Sequence, residues 1–472
     1  MCFLNKQILN NRRHIHFIGI GGSGMYPLAQ ILHAQGYYLT GSDNNDTETL
    51  KAVRDMGIPV FLGQRAENIE GADLIVHTAA ILPDNPELIA AKESGVPVLE
   101  RSQLLGVITE LHDDTICVSG THGKTTVTAM LTQIMVMENM DISAVIGGKL
   151  PLIHGSGIAG KSGTMVCEAC EFQDHFLNLS VGTAVILNVD EDHLDYFKNL
   201  DNIIKSFHTF CNNARNSVVI NGDDENSMQA VEGISGKEII TFGRRPENMW
   251  YPADIDRIAP MQTEFTIMHD GKPFCRTVLN IPGEHNIVNA VAAAAAAYGA
   301  GASPEGISKG LESFRGAGRR FEKYGEVNGI TVVDDYAHHP AEISVTLKTA
   351  KSLGFKRVWA VHQPFTFSRT ELLLDDFAEA LSIADRTVLT AIMGGREKNI
   401  SGIHTKALAD KIPGSVYFDE EEHDANFELT AQYMAEHAGE GDLIITLGCG
   451  DVNKVSRRIL ELLEEQTAEK IR

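Results

Sequence analysis

The sequence predicts an α/β protein built on mostly parallel sheets and cut into more than one domain. Three observations carry this. Strand, glycine-rich turn and helix follow one another at residues 14 to 43, and again at 115 to 137. Beyond residue 320, short apolar runs alternate with helical patterns as in βαβ units. At 472 residues the chain exceeds one ordinary core, so two to four domains are expected. Breaks are expected near residue 107 and over the turn-rich, cationic stretch SFRGAGRR, residues 313 to 320.

The first unit opens with the strand HIHFI, followed by Gly19, Gly21, Gly22 and Gly24, an amphipathic run from Met25 to Gln35, and a second strand in YYLTGSD. Gly19-x-Gly21-x-x-Gly24, with Asp43 about 20 residues on, has the form of a dinucleotide fingerprint. A diphosphate at the helix N-terminus is expected, the nucleotide left open. Asp43 either binds a ribose or caps a turn. The alternation continues with a strand at Leu74 to Val76 running into His77-Thr78-Ala79-Ala80, a helix from Asn85, and a strand at Val96 to Leu99.

The second unit holds the stretch TICVSGTHGKTTVTAMLTQIMVM. Ile116 to Val118 form a strand, Gly120 and Gly123 a tight turn, and Thr125 and Thr126 open a helix with apolar spacing at Val127, Met130, Leu131 and Ile134. This geometry cradles phosphates, since turn N–H groups and the helix dipole both face the anion. Lys124 would reach terminal phosphates and the Thr125 hydroxyl would help hold magnesium. The common P-loop has four residues between its glycine and the Gly-Lys pair; here only Thr121 and His122 intervene. ATP binding is the expectation. Two further strands end in polar residues, Thr164 to Cys167 in Glu168-Ala169-Cys170-Glu171 and Ala184 to Val189 in Asp190-Glu191-Asp192-His193-Leu194-Asp195. Glu168 is expected to ligate magnesium, and His193 to coordinate it or orient a phosphate. Asp190, Glu191 and Asp192 read as a solvated helix start. Pro282-Gly283-Glu284-His285-Asn286 leads into an alanine-rich helix stopped by Gly299 and Gly301, and His285, Asn286 and Asn289 at its start either meet an adenine or cap it.

In the last unit, strands at Thr331 to Val333, Val358 to Val361, Thr387 to Ala391 and Leu443 to Thr446 end in DDYAHHP, HQPFTFSRT, GGREKN and LGCGD. Taken singly these residues read as caps or local pairs, as with Arg396 beside Glu397. Four loaded strand ends together form a ligand-binding rim. The tail after Leu463 is expected to fray.

A net charge of −23 excludes nucleic acid as a partner, because phosphate backbones need clustered Lys and Arg. It also makes the few cationic clusters beside glycine turns more informative. No apolar run approaches the roughly 20 residues of a membrane helix, and no signal peptide is evident at the start. Seven scattered cysteines point to reduced thiols, and Cys167-x-x-Cys170 lacks a second pair at zinc spacing. A cytoplasmic protein, monomeric or homodimeric, is expected.

GIGGSGM, GTHGKTT, GEHNIVNA and GRRFE with DDYAHHP, in that order, resemble the Mur ligases of bacterial cell-wall synthesis. The resemblance covers nearly the whole chain, most weakly around 225 to 275. It implies three domains: a Rossmann-like UDP-sugar domain (1–106), a central P-loop-type ATPase domain (107–315) and a Rossmann-like C-terminal domain (316–472) that closes over the site with the amino acid. The combined motifs are most similar to the branch that joins L-alanine to UDP-N-acetylmuramate. On this resemblance Gly19, Gly21, Gly22, Gly24, Asp43 and His77 serve the UDP-sugar. Gly120, Thr121, His122, Gly123, Lys124, Thr125 and Thr126 hold ATP. Lys124 stabilises its β- and γ-phosphates, Thr125, Glu168 and His193 surround Mg2+, and His285 and Asn289 meet the adenine. Arg319, Asp335, His338 and Arg369 lie at the closing interface, Arg319 and Asp335 on the ATP, and Lys124, His193, His338 and Arg369 carry the catalysis. Two departures stand out: the family's EADE is Glu168-Ala169-Cys170-Glu171 here, and its QPHRYTRT-like stretch is QPFTFSRT, with Phe365-Thr366 replacing a His-Arg pair.

The reaction implied is ATP-driven amide formation through an acyl phosphate, with His338 acting near the amine. A ligase of the same family adding another amino acid or a peptide is the alternative. A nicotinamide-dependent dehydrogenase built on Gly19 to Asp43 would leave GTHGKTT without a role.

Overall fold

A computed structural model describes residues 6–395, 397–418 and 423–471. The apolar runs before the glycine turns become central strands. His14–Ile18 is the middle strand of a five-stranded parallel sheet, in the order Val60–Leu62, Tyr38–Asp43, His14–Ile18, Leu74–His77, Val98–Glu100. Strand order reverses at His14–Ile18, so the crevice beyond its C-terminal end is where an open α/β sheet takes a ligand. The helix Tyr26–Ala34 follows, and Asn85 caps Pro86–Glu93 by accepting from the Glu87 and Leu88 amides at 3.0 and 3.1 Å.

The second sheet has ten strands. Its parallel centre runs Glu238–Phe242, Ser217–Asn221, Thr183–Ile186, Asp114–Ser119, Thr164–Glu168, Ser143–Leu150. These strands read as nearly continuous apolar runs because helices cover both faces. The stretch 225 to 275, where motifs were thinnest, holds the long strands Trp250–Ala259, Gln262–His269 and Lys272–Leu279, the last two antiparallel. The helix Lys124–Met137 packs under the alanine run of Glu284–Gly299, whose Ala290 to Ala297 are buried. At Gly310 a β-carbon would come 2.6 Å from Ile134 Cα, so only glycine permits that helix contact.

These two sheets belong to one compact unit, made of the chain to Asp256 with Thr263–Asn280 and Glu284–Ala317. One apolar core runs through it, from Phe17 and Leu32 to Phe176, Phe207 and Ile220.

The second unit comprises Arg257–Gln262, Ile281–Gly283 and Gly318 onward. Its six-stranded sheet runs Glu322–Val327, Ile330–Asp335, Asp442–Leu447, Arg357–His362, Arg386–Leu389, Val416–Tyr417; the first pair is antiparallel and the rest parallel. The tail after Leu463 forms the last turns of the helix Asn453–Ile471, whose core residues Val455, Ile459 and Leu463 all precede it. No helix among the described residues is long and apolar enough to cross a membrane.

Candidate functional site

Two glycine turns sit at strand ends of the first unit. In the first, Gly19 adopts φ +84°, and the Gly19 and Ile20 amides donate to Ser42 O at 2.8 and 3.0 Å. Asp43 holds the turn from the side: Oδ2 accepts from the Gly21 amide at 3.0 Å and Oδ1 from Asn45 at 3.1 Å. Its carboxylate is thus a brace of the turn whichever ligand it meets. Gly22 donates to Gly19 O, and Gly24 completes the turn before the helix, whose N-cap Met25 supplies no side-chain acceptor. His77 is in register with Ile18 on the neighbouring strand, its Nδ1 3.1 Å from Thr78 O. The six residues expected to serve a sugar nucleotide therefore share one sheet edge.

The second turn follows the strand Asp114–Ser119. Gly120 and Gly123 take φ +139° and +87°, and Gly123 is the N-cap of Lys124–Met137 without any side-chain cap. The first-turn amides are thereby left for an external acceptor. Thr121 and His122 donate their amides to Asn188, to its O at 3.1 Å and its Oδ1 at 2.8 Å, and Asn188 Nδ2 returns a bond to His122 O at 3.1 Å. Asn188 escaped the sequence reading because it fell inside the expected strand Ala184 to Val189, whereas the strand Thr183–Ile186 ends two residues before it. Thr125 is buried and Thr126 partly so, while the His122 side chain is exposed.

Lys124 Nζ folds onto Gly120 O (2.6 Å), Thr121 O (3.0 Å) and Glu171 Oε1 (3.0 Å). Burial alone would lower its pKa, but Glu171, Cys170 and Glu168 outweigh that and hold it above the ordinary lysine value. Glu171 is 2% exposed and its Oε2 is buried without a partner. Glu171, Asp192 and His193 each bring one ligand atom within 4.8 Å of the others. The predicted trio of Thr125, Glu168 and His193 thus differs from the cluster observed: Glu168 Oε2 is taken by the Gly147 amide at 2.9 Å, and Glu171 stands nearer His193. Asp192, read as part of a solvated helix start, joins that cluster. His193 sits at φ +51° as N-cap of Leu194–Phe197, donates its amide to Asp192 Oδ1 at 2.7 Å, and its ring centroid lies 4.8 Å from that of Phe172. Two carboxylates with an orphaned buried oxygen suit a hard cation such as Mg2+. Cysteine takes no part: Cys167 faces Cys117 across the sheet at 3.4 Å, and burial pushes the Cys170 thiol up.

Asn289 reaches this turn. A β-carbon on Gly123 would lie 3.1 Å from Asn289 Oδ1, and Asn289 Nδ2 donates to Asn286 Oδ1 at 3.1 Å. His285, four residues earlier on the helix, is exposed.

In the second unit the strand ends form the expected rim. Arg319, at φ +61°, spends its guanidinium on Asp334 Oδ2 (2.8 Å), Gly448 O (2.5 Å) and Gly450 O (2.5 Å) and lies over the Tyr336 ring. Asp335 accepts the Phe321 and Ala337 amides, both at 2.8 Å, and burial raises its pKa to about 6. Both residues, expected to face the nucleotide, are thus committed to bracing the rim. His338 Nδ1 lies 3.1 Å from Tyr336 O and 3.4 Å from Glu342 Oε2, and burial lowers its pKa. Arg369 has a buried Nη1 without a partner. In the divergent stretch, Thr366 is held at φ +62°, and Phe365 would lie 3.3 Å from a β-carbon on Gly395. Arg396 lies outside the described residues; Glu397 accepts from Ser368 N and Oγ at 2.9 and 2.6 Å.

Three family models match in succession: the Mur ligase family catalytic domain over residues 14–112, the Mur ligase middle domain over 118–297, and the Mur ligase glutamate ligase domain over 319–450. The UDP-N-acetylmuramate–L-alanine ligase of Acetivibrio thermocellus is 43% identical over 96% of both chains. The protein of that name from Agathobacter rectalis is 41% identical over 95% of this chain and 98% of its own. Among solved structures, the UDP-N-acetylmuramate-alanine ligase MurC of Thermotoga maritima aligns with TM-score 0.81 at 28% identity, covering 96% of this chain and 99% of that one. Two glycine turns ahead of an acidic cluster and a cationic rim, matched end to end by these models and relatives, make the chain a member of the Mur ligase family.

Proposed function

We propose that the protein joins L-alanine to the carboxylate of UDP-N-acetylmuramate, converting ATP to ADP and phosphate, in the cytoplasmic synthesis of peptidoglycan precursors. The observation that carries the chemistry is the Gly120–Lys124 turn: an uncapped helix start beside a lysine held by Glu171, next to Asp192 and His193. Identity of 41% and 43% to ligases of that name, along nearly the whole chain, supports these substrates.

A carboxylate repels nucleophiles and has no usable leaving group. In the proposed reaction its oxygen attacks the γ-phosphorus, ADP departs, and the amine nitrogen then attacks the acyl carbon as phosphate leaves. Lys124 exchanges its carbonyl contacts for phosphate oxygens and neutralises charge as it spreads. Glu171, Asp192 and His193, together with the expected Thr125 and Glu168, are the residues that would hold magnesium, which would neutralise charge on the phosphate oxygens. Asn289, with His285, takes the adenine side. Gly19 to Gly24, Asp43 and His77 take the sugar nucleotide. Arg369 receives an anionic group, and His338, neutral through burial with Nδ1 turned to Tyr336 O, offers Nε2 to the amine's proton. Arg319 and Asp335 shape that rim. Residues 1–106, 107–315 and 316–472 are assigned to the sugar nucleotide, ATP and amino acid, and a monomer or homodimer suffices for the reaction.

The test is ADP release with UDP-N-acetylmuramate and a panel of amino acids and peptides. Turnover is expected only with the sugar nucleotide and L-alanine together. Release of AMP and pyrophosphate, or use of a peptide in place of L-alanine, overturns the proposal.

A further inference from the structure

The glycine turn of the first sheet faces a cation that no motif singles out. Arg101 opens the helix Arg101–Thr109, whose start is closed by a capping box between Glu100 and Gln103, so the guanidinium is not needed there. It lies against the last glycine of the turn: a β-carbon on Gly24 would come within 2.9 Å of Arg101 Cδ, 3.4 Å of Nε and 3.7 Å of Cζ. The side chain is only partly exposed, yet among the described residues its guanidinium makes no hydrogen bond or ion pair. Glu100 is adjacent, but its Oε2 is taken by Ser102 and its Oε1 is buried without a partner. Arg101 also lines a narrow cavity with Glu168, Cys170 and His175, in the same compact unit. In a chain of net charge −23, a partly buried arginine left unpaired beside acids is waiting for an anion that the protein does not provide.

We infer that Arg101 is a binding residue for the sugar nucleotide, clamping its diphosphate against the Gly19–Gly24 turn. The planar guanidinium matches phosphate oxygens in a bidentate fork, and across from it the Ser23 and Gly24 amides are the turn N–H groups that, among the described residues, donate to no internal acceptor. Gly24 is glycine because any side chain would push the guanidinium off that position. This inference rests on the proposed use of UDP-N-acetylmuramate.

The experiment compares the full-length wild type with Arg101→Ala and Arg101→Lys. It measures KM for UDP-N-acetylmuramate and for ATP, kcat, and direct binding of UDP and UDP-N-acetylglucosamine, which carry the diphosphate without the lactyl carboxylate. Arg101→Ala is expected to raise KM for UDP-N-acetylmuramate and the Kd of both probes by about 10- to 100-fold, the loss of a charge-assisted bond. KM for ATP should stay within twofold and kcat within about fivefold. Arg101→Lys should recover part of the loss, and thermal melting of each variant verifies folding. Weaker binding of UDP-N-acetylmuramate with unchanged binding of UDP would put Arg101 on the carboxylate and overturn the inference, as would no change at all. A wild type whose turnover ignores UDP-N-acetylmuramate overturns the proposed function itself, and this inference with it.

Discussion

Replacing Glu171 by Gln tests whether the lysine–carboxylate pair and the acidic cluster act as one device. Glu171 Oε1 lies 3.0 Å from Lys124 Nζ, with side-chain exposures of 3% and 15%. At that distance the Coulomb attraction is ~1.4 kcal/mol in a water-like medium and ~5.5 kcal/mol at an effective dielectric constant of 20. Gln keeps an acceptor for Nζ, and Lys124 retains the Gly120 and Thr121 carbonyls, so the variant removes charge while leaving the hydrogen-bond geometry in place. A stability loss of about 1–3 kcal/mol follows, below the cost of stranding a fully buried charge. The larger effect falls on catalysis, because a carboxylate that clusters with Asp192 and His193 and has an unpartnered buried oxygen is exchanged for an amide with fewer acceptor sites and no charge. The magnesium concentration for half-maximal rate should rise about tenfold or more, and kcat should fall about 10- to 100-fold. ADP release at saturating substrates, titrated with magnesium, reads both quantities, and urea unfolding reads the stability. A variant within threefold of the wild-type rate, with an unchanged magnesium midpoint, refutes the assignment of Glu171 to this site.

Lys124→Ala should cost more than tenfold in kcat, over ~1.4 kcal/mol of barrier, while calorimetric binding of UDP-N-acetylmuramate stays within twofold, since its expected turn is on another sheet. Gly123→Ala places a β-carbon at φ +87°, 3.1 Å from Asn289 Oδ1; a loss of about 1–2 kcal/mol in unfolding free energy and a several-fold higher KM for ATP are expected. His362 is buried with Nδ1 on Leu447 O at 3.0 Å, and burial lowers its pKa from 6.5 to about 4. Above pH 6.5 it is neutral in both folded and unfolded chains and has no effect. As pH falls from 6.5 towards 4 only the unfolded chain takes the proton, so stability drops by up to ~1.4 kcal/mol per pH unit. Melts between pH 7 and 5 should therefore show a steeper loss in the wild type than in His362→Asn, which keeps a donor for Leu447; equal slopes refute the reading.

Sheet architecture was legible because glycine turns and apolar runs are local features. HIHFI, TICVS and the alanine run after Glu284 each carry their own period and punctuation. The strands between Trp250 and Leu279 went unread although Asp270-Gly271, at φ +48° and +72°, is a two-residue hairpin turn between the last two of them; their mixed polar and apolar residues hid the strands on either side. The site divided the same way. Lys124, Thr125 and Gly123 are named by their spacing. Glu171 and Asn188 are named only by what folding sets beside them: one is the last acid of a run whose first member, Glu168, looked the better ligand, and the other is a single polar residue in an apolar run that read as strand to Val189 but ends as strand at Ile186. Arg319 and Asp335 show the converse limit. Charged residues at a strand end look ready for a ligand, and only three-dimensional structure reveals that their hydrogen-bonding groups already brace neighbouring backbone.

The shortened turn has a physical consequence that follows from this arrangement. A longer P-loop can wrap phosphate with amides from most of its length. Here the Thr121 and His122 amides are already bound to Asn188, so the N–H groups left to face an anion begin at Gly123 and continue into the helix. Asn188 therefore does for the turn what extra loop residues would do elsewhere, holding its shape from the end of the adjacent strand Thr183–Ile186. The flanking strand on the other side, Thr164–Glu168, leads to Glu171 and through it to the lysine. Parallel register brings three strand ends to one level, and that level, more than the motif's spelling, makes two residues enough between the glycines.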